Sequence, residues 1–226
     1  MSLVPTDPPR PHPSVPSGAL LIVHADDSLV VVDKPAGLLS VPGRGADKAD
    51  NATARVQAEF ADALTVHRLD MATSGLLLFA RGASMQRQLS ALFEAREVIK
   101  HYEALVSGLV DQDHGEIDLP LAADWPQRPR QMVDHVHGKP SLTRYRVLQR
   151  DAKDQTTRVL LQPLTGRSHQ LRVHLQAIGH PIVGDALYAP PEMAAHHDRL
   201  MLHATRLEFR HPLSGDELRL LSAAPF

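Results

Sequence analysis

The run His67-Arg68-Leu69-Asp70-Met71-Ala72-Thr73-Ser74-Gly75 sets three ionisable side chains, two hydroxyls and a glycine directly before the apolar run Leu76-Leu77-Leu78-Phe79-Ala80. Polar groups packed that close to a buried strand are costly unless they are paired or used. Asp70 is the group with the most chemistry in it. One reading makes it a turn cap or a partner of Arg68. The other makes it a working carboxylate, held on a rigid element by the apolar strand behind it, and the local sequence leaves both open.

A second cluster, Leu164-Thr165-Gly166-Arg167-Ser168-His169-Gln170-Leu171-Arg172-Val173-His174, places Gly166 and Arg167 ahead of a helix start. Backbone can approach a ligand at such a glycine, and the helix N-terminus favours an anion there. On that helix His169, Arg172 and Gln176 would share a polar face opposite Leu171, Leu175 and Ile178. A solvated basic face would give the same pattern. A third stretch, Ile99-Lys100-His101-Tyr102-Glu103-Ala104, carries a tyrosine in an alternating strand, which ordinarily means packing.

Several chemistries lack their residues. With no cysteine there is no disulfide framework, thiol nucleophile or zinc–thiolate site. His135, His137, His196 and His197 have no carboxylate at a matching offset, so no metal is expected. Gly43-Arg44-Gly45 lacks the lysine and hydroxyl of a phosphate-binding loop, and Gly166 lies in no Gly-x-Gly-x-x-Gly pattern, so no nucleotide cofactor is expected either. No apolar run approaches the ~18 residues of a membrane span, and Ala19–Val23 is too short for a secretory leader. A cytoplasmic protein without a membrane partner is the expectation.

The net charge of −2 does not mark a nucleic-acid binder. Local patches matter more than the total. Between Arg128 and Arg146 stand Arg128, Arg130, Lys139, Arg144 and Arg146 against the single acid Asp134, and Arg167–His174 contains no acid at all. Arginine suits bidentate phosphate contacts. With aromatic residues at 4%, however, an aromatic platform for stacking single-stranded bases is hard to build.

These groups need elements to position them. Residues 1–17 are proline-rich and apolar-poor, predicting a disordered tail ahead of one domain over 18–226. Strands are predicted at Ala19–His24 and Leu29–Asp33, with Lys34-Pro35-Ala36-Gly37 ending the second. Asn51 would cap a helix from Ala52 to Ala63. The strand Gly75–Ala80 follows, then a helix from Ser84 to Arg96 and a strand over Val98–Gly108. Residues 111–141 read as loop with short strands, and Leu142–Arg150 pairs with Thr156–Pro163. Ser168 would cap a helix to Ile178, ended by Gly179-His180-Pro181. Strands close the chain at Leu200–Phe209 and Leu218–Leu221. Strands with few helices and no regular βαβ alternation predict an α+β domain with a mixed sheet.

His67-Arg68-Leu69-Asp70-x-x-Thr73-Ser74-Gly75 resembles the signature of the RluA family of pseudouridine synthases. Val32-Asp33-Lys34-Pro35-Ala36-Gly37, Lys100-His101-Tyr102, Thr165–His174 and Gly179-His180-Pro181-Ile182-x-Gly184-Asp185-x-x-Tyr188 agree with it in order. Asp124-Trp125-Pro126-x-Arg128-Pro129 and Gly138-Lys139-Pro140 are similar to the member that modifies both 23S rRNA and tRNA. The resemblance implies a pseudouridine synthase fold, a mixed and mainly antiparallel central sheet with flanking helices and a central cleft, without an S4 domain. It implies an RNA uridine isomerase that needs no cofactor or metal and acts as a monomer on stem-loops of 23S rRNA and tRNA.

By the same resemblance Asp70 is the essential carboxylate, Arg167 pairs with it and Tyr102 packs on the target base. Arg68 fills the space the flipped nucleotide leaves, and His67, Lys100, Arg128, Arg130, His169, Gln170 and Arg172 contact RNA. The competing expectation is a non-catalytic RNA-binding or rRNA-folding protein on the same scaffold, which would have lost Asp70, Tyr102 or Arg167. All three are present.

Overall fold

The computed structural model describes residues 17–43, 49–195 and 197–226. The tail expected over 1–17 lies outside the described residues except for Ser17, as do Arg44, Gly45 and His196.

Two apolar runs build the first half. β1 (Leu21–Ala25) and β2 (Leu29–Lys34) form a hairpin whose turn is closed by Asp26, which accepts from the amides of Ser28 and Leu29 at 2.7 and 2.9 Å. β2 pairs antiparallel with β4 (Ser74–Arg81). Residues 29–32 and 74–80 are buried on both faces, which is why neither run alternates. On one face α2 (Gly82–Glu94) sets Met85 and Leu89 against Leu29, Val31, Leu76 and Leu78. On the other, α1 (Ala52–Gln57) sets Ala52 and Val56 against Val30, Val32, Leu77 and Phe79. Each large side chain so buried stabilises the fold by about 1.5–3 kcal/mol.

Asn51 caps α1 as predicted, its side chain accepting from the Ala54 amide at 2.9 Å. The helix is shorter than expected. It ends at Gln57, and the chain turns into β3 (Ala63–Thr65), which pairs with β4. Three residues are too few for periodicity to separate strand from helix.

The second half contains β5 (Ile99–Ser107), β6 (His114–Asp118), β9 (Leu142–Asp151), β10 (Thr156–Pro163), β11 (Leu202–Arg210) and β12 (Glu217–Leu221). The main sheet runs β1-β2-β4-β11-β5-β10-β9-β6, with β12 on β11 and β3 on β4. Every pairing in it is antiparallel except β4 with β11, which is parallel over His203–Ser74 and Ala204–Gly75. That seam joins the two halves of the mixed sheet. Gly75 makes it possible: its φ is +108°, and a Cβ there would stand 2.4 Å from the Ala204 carbonyl oxygen.

β7 (Leu121–Ala123) and β8 (Gln131–Val133) make a separate hairpin. The short α4 (Pro191–Ala195) was not expected. Among the described residues no helix is long and apolar enough to cross a membrane.

α3 (Gln170–Ala177) departs from the sequence reading in two ways. Its N-cap is His169, in the left-handed region at φ 53° and ψ 17°, rather than Ser168. Residues 170–175 are also all buried, so the helix has no solvated basic face.

Candidate active site

Asp70 stands on the loop between β3 and β4, and the main chain of that loop is held at almost every step. Ser40 Oγ donates to the Leu69 carbonyl and accepts from the Leu69 amide, at 2.7 and 3.0 Å. The Thr73 amide donates to the Asp70 carbonyl at 3.1 Å, and the Gly37 amide to that of Met71 at 2.8 Å. Lys34, fully buried, spends its three ammonium protons on the carbonyls of Pro35, Leu38 and Met71, at 2.9, 2.8 and 3.2 Å. Burial pushes its pKa down to about 7, against the pull of the Asp70 charge.

The carboxylate is addressed from α3. Oδ2 lies 3.5 Å from Arg172 Nη1 and Oδ1 lies 3.9 Å from His169 Nε2. Arg172 is itself fixed: Nε and Nη2 donate to the two oxygens of buried Asp185 at 2.8 and 2.7 Å. Asp185 also accepts from the amides of Leu187 and Tyr188, at 2.9 and 3.2 Å. The Tyr188 ring lies 5.0 Å from the Arg172 guanidinium. Tyr102 reaches the same cleft from β5, and burial, reinforced by the Asp70 charge, pushes its phenol up, so the hydroxyl keeps its proton.

This geometry corrects the expected pairing. Arg167 is exposed, with Nε 3.4 Å from the Pro140 carbonyl, and the arginine that faces Asp70 is Arg172. Residue 167 lies in the loop ahead of the helix, and residue 172, in the first turn of α3, points inward to Asp185 and Asp70. Four residues expected to contact RNA have partners inside the protein. Arg172 is held in a buried ion pair with Asp185. Gln170 is buried, accepting from Thr165 Oγ1 and the Arg167 amide and donating to Leu142 O and Thr143 Oγ1. His67 accepts from the Leu78 amide at 3.0 Å and stacks on Phe93 at 4.7 Å. Burial, with Lys100 adding to it, holds its pKa at about 3, so it carries no charge for RNA. His169 also turns to Asp70 and to the Tyr188 hydroxyl, 2.6 Å from its Nδ1.

The remaining expected contacts stand around a cleft of about 1060 Å³. Arg68 and Arg128 are exposed, Arg128 stacked 3.3 Å over Trp125. Arg130 is half-buried above the Tyr188 ring, and Lys100 above Phe93. Among the described residues Arg68, Arg96, Lys100, Arg128, Arg130, Arg167 and Arg172 line the cleft against only Asp70 and Glu94, so this wall is strongly cationic although the chain as a whole is not. A carboxylate on the floor of a cationic cleft can attack or deprotonate a sugar whose phosphates the rim holds. The sequence reading assigned nothing to Lys34, Arg96, Asp185 or Tyr188. Lys34, Asp185 and Tyr188 lay inside quoted motifs, but nothing in the motifs shows which side chains turn inward.

Residues 28–177 match the family described as RNA pseudouridylate synthase. The chain is 52% identical over 204 residues to the "Dual-specificity RNA pseudouridine synthase RluA" of Pasteurella multocida, covering 90% of this chain and 92% of that one. It is 48% identical over 207 residues to the protein of the same name from Escherichia coli, covering 92% and 94%. Among solved structures it resembles "Human RNA Pseudouridylate Synthase Domain Containing 1", with a TM-score of 0.77, 30% identity and coverage of 92% and 84%.

Proposed function

The chain belongs to the RluA family of RNA pseudouridine synthases, and from that premise we propose that Asp70 is the essential carboxylate with which it turns uridine into pseudouridine. In this isomerisation the N1–C1′ bond breaks, the uracil rotates and a C5–C1′ bond forms, and the proton leaving C5 is balanced by one gained at N1. Asp70 either attacks C1′ or removes the 2′ proton. Both routes need a carboxylate held still against the sugar. The observation that carries the reading is the double hold on Asp70: a main chain pinned by Ser40, Gly37 and Lys34, and a side chain faced by buried Arg172.

A uridine inside folded RNA must be flipped out to reach this floor, at a cost of a few kcal/mol. Arg68, exposed and two residues from Asp70, fills the vacated place. Tyr102 packs on the flipped base with a neutral hydroxyl facing it. Arg96, Arg128, Arg130 and Arg167 hold phosphates along the rim, while the unpaired loop bases carry the sequence information. The substrates are stem-loops of 23S rRNA and tRNA; the relatives' name, dual-specificity, favours two RNA classes. On this reading the enzyme works in the cytoplasm as a monomer.

The decisive experiment measures tritium release from C5-labelled uridine RNA. Asp70→Asn should fold, bind RNA and release none. Substantial release would remove Asp70 from the reaction.

A further inference from the structure

A chain of hydrogen bonds runs from the β7–β8 hairpin to Asp70. The amide of Gln131, the first residue of β8, donates to the Tyr188 hydroxyl at 2.8 Å. The phenol oxygen thus has one acceptor site filled and its own proton to give, and the nearest acceptor is His169 Nδ1 at 2.6 Å. Burial keeps both partners uncharged, pushing the phenol's pKa up and the imidazole's down. A neutral ring that accepts at Nδ1 carries its single N–H on Nε2. That nitrogen lies 3.9 Å from Asp70 Oδ1, on the other side of the carboxylate from Arg172.

The backbone at His169 is in a costly conformation. At φ 53°, His169 is one of three non-glycine residues with positive φ among those described. Such a conformation costs about 1–3 kcal/mol and persists only where the surroundings over-determine it. The His169 ring stands edge-on to Tyr188, with centroids 5.6 Å apart and planes at 83°.

We propose that Tyr188 and His169 are positioning residues that tie the aim of Asp70 to the β7–β8 hairpin. The hairpin carries Arg128 and Arg130 into the cleft, and Gln131 follows Arg130 directly. The 3.9 Å gap is about 1 Å longer than a hydrogen bond. Such distances in a substrate-free site tighten when substrate is bound. RNA engaging the two arginines moves Gln131, Tyr188 and His169 together and brings the Nε2 proton onto Oδ1. With Arg172 at Oδ2, the carboxylate then has one orientation. An RNA that reaches Asp70 without docking on the hairpin leaves the gap open and is turned over slowly. The inference rests on the reading of Asp70 as the reacting carboxylate.

The test uses the full chain with stem-loop RNA, comparing Tyr188→Phe, His169→Asn and the double variant. Phe keeps the ring against Arg130 and Arg172 and removes only the hydroxyl. Asn tolerates the left-handed backbone but lacks the ring nitrogens. RNA binding is read separately from the fluorescence of Trp125, the sole tryptophan, which lies in the hairpin loop. Each single variant should lower the single-turnover rate about tenfold to a hundredfold. The double variant should fall no further, and Kd should move less than twofold. Wild-type rates in both singles, losses that multiply in the double, or a Kd that rises in step with the lost rate would each overturn the proposal. If Tyr188→Phe fails to fold, His169→Asn decides by its rate and Kd alone. Activity retained in Asp70→Asn overturns the reading of Asp70 itself, whatever these variants do.

Discussion

Asp185→Asn keeps the shape of the side chain and removes its charge, which isolates what the Arg172–Asp185 pair does. Arg172 is 5% exposed and Asp185 is fully buried, so the change leaves a guanidinium inside the protein without its bidentate partner. Breaking one side of such a pair costs about 3–5 kcal/mol, mostly because the remaining charge is uncompensated. Here Asp70, 3.5 Å away and partly exposed, takes up a share of that charge, which puts the expected loss near the lower end, at about 3 kcal/mol. For a chain of this size that lowers Tm by about 6–12 °C. Thermal unfolding followed by circular dichroism, with Asp185→Asn, Arg172→Met and the double variant, gives the measurement. The double should be clearly more stable than the sum of the singles, since it removes both charges. An unfolding midpoint within about 2 °C of the unaltered protein, or strict additivity, would refute the picture of a dry, mutually dependent pair. Arg172→Met should also leave the salt dependence of RNA binding unchanged, because counterion release follows phosphate contacts. A shallower slope would return Arg172 to the phosphate-binding set.

Arg68→Ala should slow turnover of structured stem-loops well beyond that of unstructured oligonucleotides, because only the former must fill a vacated stack; equal losses count against the flipping role. Gly75→Ala should cost more than about 3 kcal/mol or prevent folding, since the new Cβ meets Ala204 backbone at 2.4–2.8 Å and φ is +108°; a stable variant would mean that the β4–β11 seam can separate. Acid should unfold the protein early. His67 titrates at about 3 in the fold against an ordinary 6.5, so between those values the unfolded chain binds a proton the folded one does not. Stability then falls as pH drops through that window, by up to about 1.4 kcal/mol per unit from His67 alone. His67→Gln should flatten that part of the stability–pH curve, and an unchanged slope would show that His67 protonates freely.

Much of the fold could be read from the sequence because its first half is built on doubly buried strands. Leu29–Val32 and Leu76–Ala80 are continuous apolar runs bounded by turn residues, and they became β2 and β4. Asn51 was legible as a cap because its side chain acts on an amide three residues away. The α3 start was not legible. Ser168 is the better cap by residue type, but Gln170 satisfies the Arg167 amide from within the helix, and the bond between His169 and Tyr188 helps to hold His169 in the cap position. The second is a tertiary contact that local propensity does not contain. The carboxylate's partner is set by a longer contact still, between Arg172 and Asp70, 102 residues apart in the chain.

The same contacts explain how a chain of net charge −2 can present a cationic cleft. Charge counted along a sequence does not separate cations that meet RNA from cations consumed inside the fold. Arg172 is consumed by Asp185, Lys34 by three carbonyls. Arg199 donates to Ser74 Oγ, which bonds His203, and His203 is linked through Ser222 to Asp33, directly beneath the start of β4. Lys34 braces the backbone beside Asp70, Arg172 faces its carboxylate and Arg199 holds the Ser74 side chain four residues on. Arg68, Arg96, Arg128 and Arg167 remain exposed on the rim, and acids pair elsewhere, as Asp50 does with Arg55 and Asp113 with Arg150. Of the rim cations, Arg96 and Arg167 can therefore be exchanged at a cost in affinity alone, whereas buried ones cannot be changed without disturbing the surroundings of the carboxylate. A substitution series across both sets should divide on that line: variants of Arg96 and Arg167 raise Kd and flatten its salt dependence, and buried variants lower Tm and the rate of the chemical step.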